Sequence, residues 1–105
     1  MSAPQATAAP WFERIIDEEE RGVQPLFRGR AAALATIVLC YGGREVDRLE
    51  SDSQGNWLWL PSQRTLRECL RSAGEEHQPL DLVAHCLDSH GNLSPPSPPV
   101  PLPPA

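Results

Sequence analysis

The sequence predicts a small α+β domain built on an antiparallel sheet of about four strands. Three observations predict this class. An apolar, β-branched run ends at Gly42-Gly43, a polar glycine-containing loop at 50–56 separates two further apolar segments, and helical spacing of apolar residues begins near residue 63. The expected order is an N-terminal helix, a three-stranded meander, a second helix and a last strand.

The chain has 105 residues, which allows one domain. Residues 1–9 are small and polar and are predicted to form a disordered lead, and 10–93 form the single domain. Residues 94–105 are rich in proline and are predicted to form a disordered tail. The tail contains P-x-x-P patterns, so it is interpreted either as a ligand of an aromatic-lined groove or as a stiff spacer.

An amphipathic helix is predicted from Pro10 to about Arg21. Pro10 suits a first helical turn, and Gly22 is a plausible stop. The apolar side chains have the spacing of one helical stripe and are Trp11, Phe12, Ile15 and Ile16. This helix is expected to be weak until its stripe docks on another surface.

The predicted meander has strands at 31–41, 44–50 and 57–60. Gly42-Gly43 can supply positive φ at both turn positions, and this turn places Leu39 opposite Val46 and Ile37 opposite Arg48. The second strand carries charge on both faces, which favours an edge position. The loop before the third strand is long enough to leave its register open.

A second helix is predicted from Gln63 to Ala73, with Ser62 as its cap and Gly74 as its end. The alternating segment 81–87 predicts a final strand, with a short helix as the alternative.

The predicted sheet has apolar side chains on both faces, so both faces must be covered. The second helix covers one of them, and the first helix, a second copy or another protein must cover the other. This requirement gives the candidate partner-binding residues, which are Trp11, Phe12, Ile15, Ile16, Trp57 and Trp59.

Charge and cysteine content limit the class of partner and the compartment. The net charge is −5, which argues against a general binder of nucleic acid or anionic membranes. The three cysteines have no C-x-x-C spacing and are expected to be reduced thiols in a cytoplasmic protein. The N-terminus lacks the features of a secretory signal, and no apolar run is long enough to span a bilayer.

No residue pattern predicts catalysis, a cofactor or a metal. His77, His85, Cys86 and His90 lie close in sequence, but adjacent residues of a strand point to opposite faces. The carboxylates occur in solvated runs, and the thiols lie on apolar stripes that disfavour a thiolate.

The predicted function is a non-catalytic protein-interaction or assembly module. It would dock on a protein partner, or on itself as a homodimer, through an apolar sheet face or the first helix. The alternative is a small nucleic-acid-binding regulator that uses its arginines and stacks bases on Trp57 and Trp59.

Overall fold

The computed structural model describes residues 8–77 and 80–102. It contains seven strands, one short helical turn and one long helix. In chain order these are β1 (Trp11–Ile16), α1 (Glu18–Arg21), β2 (Leu26–Arg30), β3 (Thr36–Tyr41), β4 (Arg44–Glu50), β5 (Asn56–Trp59), α2 (Gln63–Glu76), β6 (Asp81–Leu87) and β7 (Val100–Pro101).

The strands form two antiparallel sheets, so the predicted single four-stranded sheet is wrong. One sheet has the order β1-β2-β5, and the other has the order β4-β3-β6-β7. Both sheets contribute to one core, together with Cys69 of α2 and Leu102 of the C-terminal segment. The described part of the chain is therefore mostly β, and α2 is the one long helix within it.

The predicted N-terminal helix is wrong, because residues 11–16 form the edge strand β1. Phe12 pairs with Gly29 and Ile15 pairs with Phe27, with a shift of register between Phe12 and Arg14. That bulge adds one residue, so Phe12 and Ile15 lie on the same face although they are three apart. The spacing that resembles a helical stripe is here the spacing of a bulged strand.

The predicted β3–β4 hairpin is present, but its register differs beyond the turn. Tyr41 pairs with Arg44 across Gly42-Gly43, and a bulge after Cys40 then places Leu39 opposite Asp47 and Ile37 opposite Leu49. Without the bulge Arg48 would face Ile37 in the core. The bulge brings Leu49 to that face instead. As predicted, β4 lies at the edge of its sheet.

The predicted meander is wrong at its third strand, because β5 pairs with β2 in the other sheet. Trp59 lies opposite Phe27 and Trp57 lies opposite Gly29. The segment Leu26–Arg30, which lies between the predicted first helix and the predicted meander, is the central strand of this sheet. The Trp59 indole Nε1 donates to Asp47 Oδ2 of β4 at 2.9 Å, which joins the two sheets.

The predicted second helix and final strand are confirmed. Ser62 Oγ accepts a hydrogen bond from the Thr65 amide at 3.1 Å, which caps the start of α2. The helix continues three residues beyond Ala73 and ends at His77, whose left-handed conformation has φ 56°. Strand β6 spans the predicted residues and lies beside β3.

The pentapeptide Asp-Ser-X-Gly-Asn occurs at 52–56 and again at 88–92, and it forms the same loop twice. In each copy the aspartate carboxylate accepts two backbone amide hydrogen bonds at 2.8–2.9 Å. Asp52 accepts from residues 54 and 56, and Asp88 accepts from residues 90 and 92. Gly55 and Gly91 both have φ +83°, which glycine adopts without strain. These amide bonds, led by those from Asn56 and Asn92, lower the pKa of Asp52 and of Asp88.

We expect these two aspartates to contribute to acid sensitivity. A carboxyl group whose pKa is lowered by folding stabilises the fold above its unfolded pKa of about 4 and loses that contribution as pH falls through its folded pKa. As the pH is lowered from about 5 to 2, the melting temperature of the Asp52→Ala/Asp88→Ala variant should therefore fall by less than that of the unaltered protein. Ser53→Ala/Ser89→Ala keeps both carboxylates and should respond to pH as the unaltered protein does. Equal acid responses of the aspartate variant and the unaltered protein would contradict the assignment.

The predicted disordered tail is wrong for residues 94–102, which we call the C-terminal strap. The strap runs along the free edge of β6, where Ser94 and Ser97 amides donate to the carbonyls of Cys86 and Ala84, both at 2.8 Å. Its last described residue, Leu102, is buried in the core. Serine occurs at every third position of this segment, and its backbone amide, unlike the nitrogen of proline, can donate to a strand edge. The high proline content makes this capacity for pairing hard to see in the sequence.

The predicted lead at 1–9 and the predicted single domain at 10–93 stay predictions. Residues 1–7 of the predicted lead and residues 103–105 of the predicted tail lie outside the described residues.

Candidate docking face on the three-stranded sheet

The structure separates the six predicted partner-binding residues into two groups. Trp57 and Trp59 are core residues, with 3% and 2% of their surface exposed. Phe12 and Ile15 are half-buried and pack on the same core, and the Phe12 ring meets the Trp57 ring edge-on at 5.2 Å. These four residues therefore hold the domain together, and rings at 57 and 59 are inaccessible to a stacking base.

The remaining two predicted residues lie on the opposite side of the sheet. Trp11 pairs with Arg30 and Ile16 pairs with Leu26, and neither pair belongs to the rows that face the core. Trp11 is 49% exposed, and Ile16 is half-buried. The predicted stripe is thus divided by the bulge, with Phe12 and Ile15 inside and Trp11 and Ile16 outside.

Two leucines in and directly after β5 extend this outward side. Leu58 lies opposite Arg28 of β2, and Leu60 follows β5 directly. Each of the two leucines is 52% exposed. The sequence signal for them is their alternation with the buried Trp57 and Trp59, because successive strand residues point to opposite faces. We call Trp11, Arg14, Arg28, Leu58 and Leu60 the outer face.

Two arginines of the outer face are directly opposed. Arg14 of β1 pairs with Arg28 of β2, and like charges at such positions destabilise a sheet. Arg14 has one carboxylate nearby, with Nη2 at 3.8 Å from Glu20 Oε1. Among the side chains that the structure describes, Arg28 has no carboxylate oxygen within 4.0 Å. The pair therefore concentrates positive charge between apolar side chains.

An open groove of about 530 Å³ borders the outer face. Arg28 and Leu58 of the outer face line it, and Glu13, Glu50 and Asp52 contribute carboxylates. The groove has mixed charge, whereas the positive charge of the outer face itself is concentrated at the Arg14–Arg28 pair.

The three cysteines are buried core residues, and His85 contacts the C-terminal strap. Burial raises the pKa of each of the three thiols, at Cys40, Cys69 and Cys86, so the thiolate is disfavoured. His85 Nδ1 lies 2.8 Å from the Ser94 carbonyl oxygen. Because a carbonyl oxygen can only accept, this nitrogen carries the hydrogen. Across residues 8–77 and 80–102, no three His, Cys, Asp or Glu side chains are grouped as metal ligands.

Comparison with known proteins found no matching family model, no matching curated protein and no matching solved structure. Within the described part of the chain, no helix is long and apolar enough to cross a membrane.

Proposed function

We propose that the chain is a non-catalytic protein-interaction module that docks through the outer face. The observation that carries the proposal is the exposure of Trp11, Leu58 and Leu60, each about half exposed on one side of one sheet. Large apolar side chains grouped on a surface are typical of a binding site, and tryptophan and arginine are enriched where binding energy is concentrated. Three reduced, buried thiols support a cytoplasmic setting.

The proposed partner is a protein surface that offers apolar side chains and at least one carboxylate. The carboxylate would contact the opposed Arg14 and Arg28 and relieve their mutual repulsion. The apolar side chains would cover Trp11 and Leu58. Glu13 and the other carboxylates that line the groove with Arg28 disfavour a strongly acidic partner, so the contact is expected to be mainly apolar, with its carboxylate at the arginine pair.

Selection from a random peptide library on the unaltered protein tests this proposal. We expect the enriched peptides to combine aromatic or aliphatic residues with Asp or Glu. Binding should be lost in Trp11→Ser/Leu58→Ser and in Arg14→Ser/Arg28→Ser, and retained in Arg64→Ser/Arg67→Ser, which changes exposed arginines of α2. Enriched peptides that are basic, or whose binding survives both outer-face variants, would contradict the proposal.

We expect the outer-face substitutions to leave the fold intact. Trp11→Ser and Leu58→Ser change half-exposed side chains, so each should alter the free energy of unfolding by no more than about 0.5–1 kcal/mol. Trp59→Ser, in the core, should cost about 3–5 kcal/mol. Urea unfolding of the three variants measures the contrast. A loss of several kcal/mol at Trp11 or Leu58 would identify these residues as core rather than binding residues.

Two further measurements distinguish the other occupants of this face. A homodimer through the outer face would appear as a concentration-dependent mass in sedimentation equilibrium that Leu58→Ser abolishes. A nucleic-acid regulator would show oligonucleotide affinity that falls steeply with salt. Either result would replace the proposed partner.

A further inference from the structure

The C-terminal strap binds β6 through a repeated set of contacts. At Ser94 the amide donates to the Cys86 carbonyl, and the hydroxyl oxygen accepts from the Cys86 amide, both at 2.8 Å. At Ser97 the amide donates to the Ala84 carbonyl at 2.8 Å, and the hydroxyl oxygen accepts from the Ala84 amide at 2.9 Å. Each serine therefore satisfies both backbone groups of one strand residue, with its side chain in the place of a carbonyl.

The hydroxyl hydrogens have their own acceptors. Ser94 Oγ donates to the Pro95 carbonyl at 2.9 Å, and Ser97 Oγ donates to the Pro98 carbonyl at 3.2 Å. The hydrogen atom is thus directed into the strap, which leaves an oxygen lone pair for the strand amide. Both serines are buried, whereas the four prolines at 95, 96, 98 and 99 are exposed. Strand β6 therefore recognises the strap through its serines.

The spacing of the strap differs from that of a free polyproline helix. Three strap residues match two residues of β6, from Cys86 to Ala84. Two strand residues cover about 7 Å, whereas three polyproline II residues cover about 9 Å. The bound segment is therefore shortened. While it lies on β6, it does not offer the extended P-x-x-P spacing that an aromatic-lined groove recognises.

An apolar anchor completes the site. Val100 pairs with Leu82, and the Leu102 side chain is buried in the core. The Tyr41 hydroxyl donates to the Leu102 carbonyl at 3.2 Å, which fixes the end of the strap. The edge of β6 and the buried position of Leu102 together recognise the pattern Ser-Pro-Pro-Ser-Pro-Pro, followed by apolar residues at the seventh and ninth positions counted from Ser94.

We propose that the edge of β6 is a binding site for proline-rich segments with a serine at every third position, and that the chain's own strap occupies it. A segment of the same pattern from another protein would replace the strap by forming the same contacts. The strap has the advantage of attachment, because a short connection gives an effective concentration near the millimolar range. The site is thus self-inhibited, and it opens to a partner when the strap is weakened or the partner segment is abundant.

A labelled peptide with the sequence of residues 94–105 tests the site by fluorescence anisotropy. The protein is the full chain, either unaltered or as Ser94→Ala/Ser97→Ala. The variant weakens its own strap, so it should bind the peptide about tenfold or more tightly than the unaltered protein does. A control peptide of the same composition, with its two serines adjacent, should bind neither protein. Trp11→Ser/Leu58→Ser should bind the labelled peptide as the unaltered protein does, which separates this site from the outer face.

Loss of folding in the serine variant does not prevent the test. In that case the peptide of residues 94–105 should restore the native circular dichroism spectrum, and the control peptide should not. Equal binding of both peptides, or neither binding nor refolding with the peptide of residues 94–105, would overturn the proposal.

Discussion

Deletion of residues 94–105 is expected to lower the free energy of unfolding by about 3–5 kcal/mol, which is a large share of the ~5–15 kcal/mol that typically stabilises a domain. The deletion removes the buried Leu102 side chain and four hydrogen bonds to Ala84 and Cys86. It also exposes the edge of β6, whose unpaired backbone groups can then pair with other chains.

Urea unfolding of two shorter chains measures this effect. Deletion of residues 103–105 alone keeps every described contact of the strap and is the matched control. The free energy of unfolding of Leu102→Ala should lie between those of the two shorter chains, because this substitution should cost about 2–4 kcal/mol. If the chain without residues 94–105 were as stable as the control, the strap would be a dispensable tail and its place in the core would be wrong.

The second large effect is expected at Gly29, where even one methyl group should cost about 3 kcal/mol. A Cβ atom at this position would overlap the Trp57 ring at Cε2 and Cζ2 and would lie 2.6 Å from the Trp11 carbonyl oxygen. The Trp57 indole is held at the neighbouring atom, because Nε1, which is bonded to Cε2, donates to the Arg30 carbonyl at 3.1 Å. The ring cannot move aside without losing that bond.

Two comparisons test the cause of the effect. Gly74→Ala, in α2, meets nothing within 4 Å and should raise stability by up to about 1 kcal/mol, which controls for the general effect of replacing glycine. Gly29→Ala should cost less in a Trp57→Leu background, since the smaller side chain relieves part of the overlap. Equal costs in both backgrounds would exclude the ring as the cause.

Sequence patterns predicted the elements whose signals are local. Ser62 and the spacing of Leu66, Cys69 and Leu70 identify α2, and the alternation at 81–87 identifies β6. Gly42-Gly43 identifies the β3–β4 turn. In each case the residues that form the element also mark its period, although α2 runs three residues past its predicted end at Ala73.

The errors arose where one residue changes the period or where the pairing is distant. The bulge in β1 turns the spacing of Phe12 and Ile15 into that of a helix. Strand β2 contains Gly29, which weakens the strand signal, and the reason for that glycine is Trp57 on another strand. The repeat of Asp-Ser-X-Gly-Asn was present in the sequence, and it would have marked Asp88–Asn92 as a hairpin loop before the strap.

The candidate docking residues were partly predictable for the same reason. The requirement that apolar faces be covered identified Trp11, Phe12, Ile15 and Ile16 as one group. The bulge could not be recognised in the sequence. The sequence therefore could not show which of these four residues cover Trp57 and which face solvent. Leu58 and Leu60 followed from alternation with Trp57 and Trp59 once the inner side was known.

Amide hydrogen exchange at Ser94 and Ser97 in the 105-residue chain tests the central structural claim most directly. Both amides donate to β6 and flank exposed prolines that have no amide of their own. If the strap is bound as described, the Ser94 and Ser97 amides should be protected about as well as the β6 amides of Ala84 and Cys86, because the two serines and the two strand residues open together. Exchange of Ser94 and Ser97 at the rate of an unfolded peptide, with Ala84 and Cys86 still protected, would contradict it.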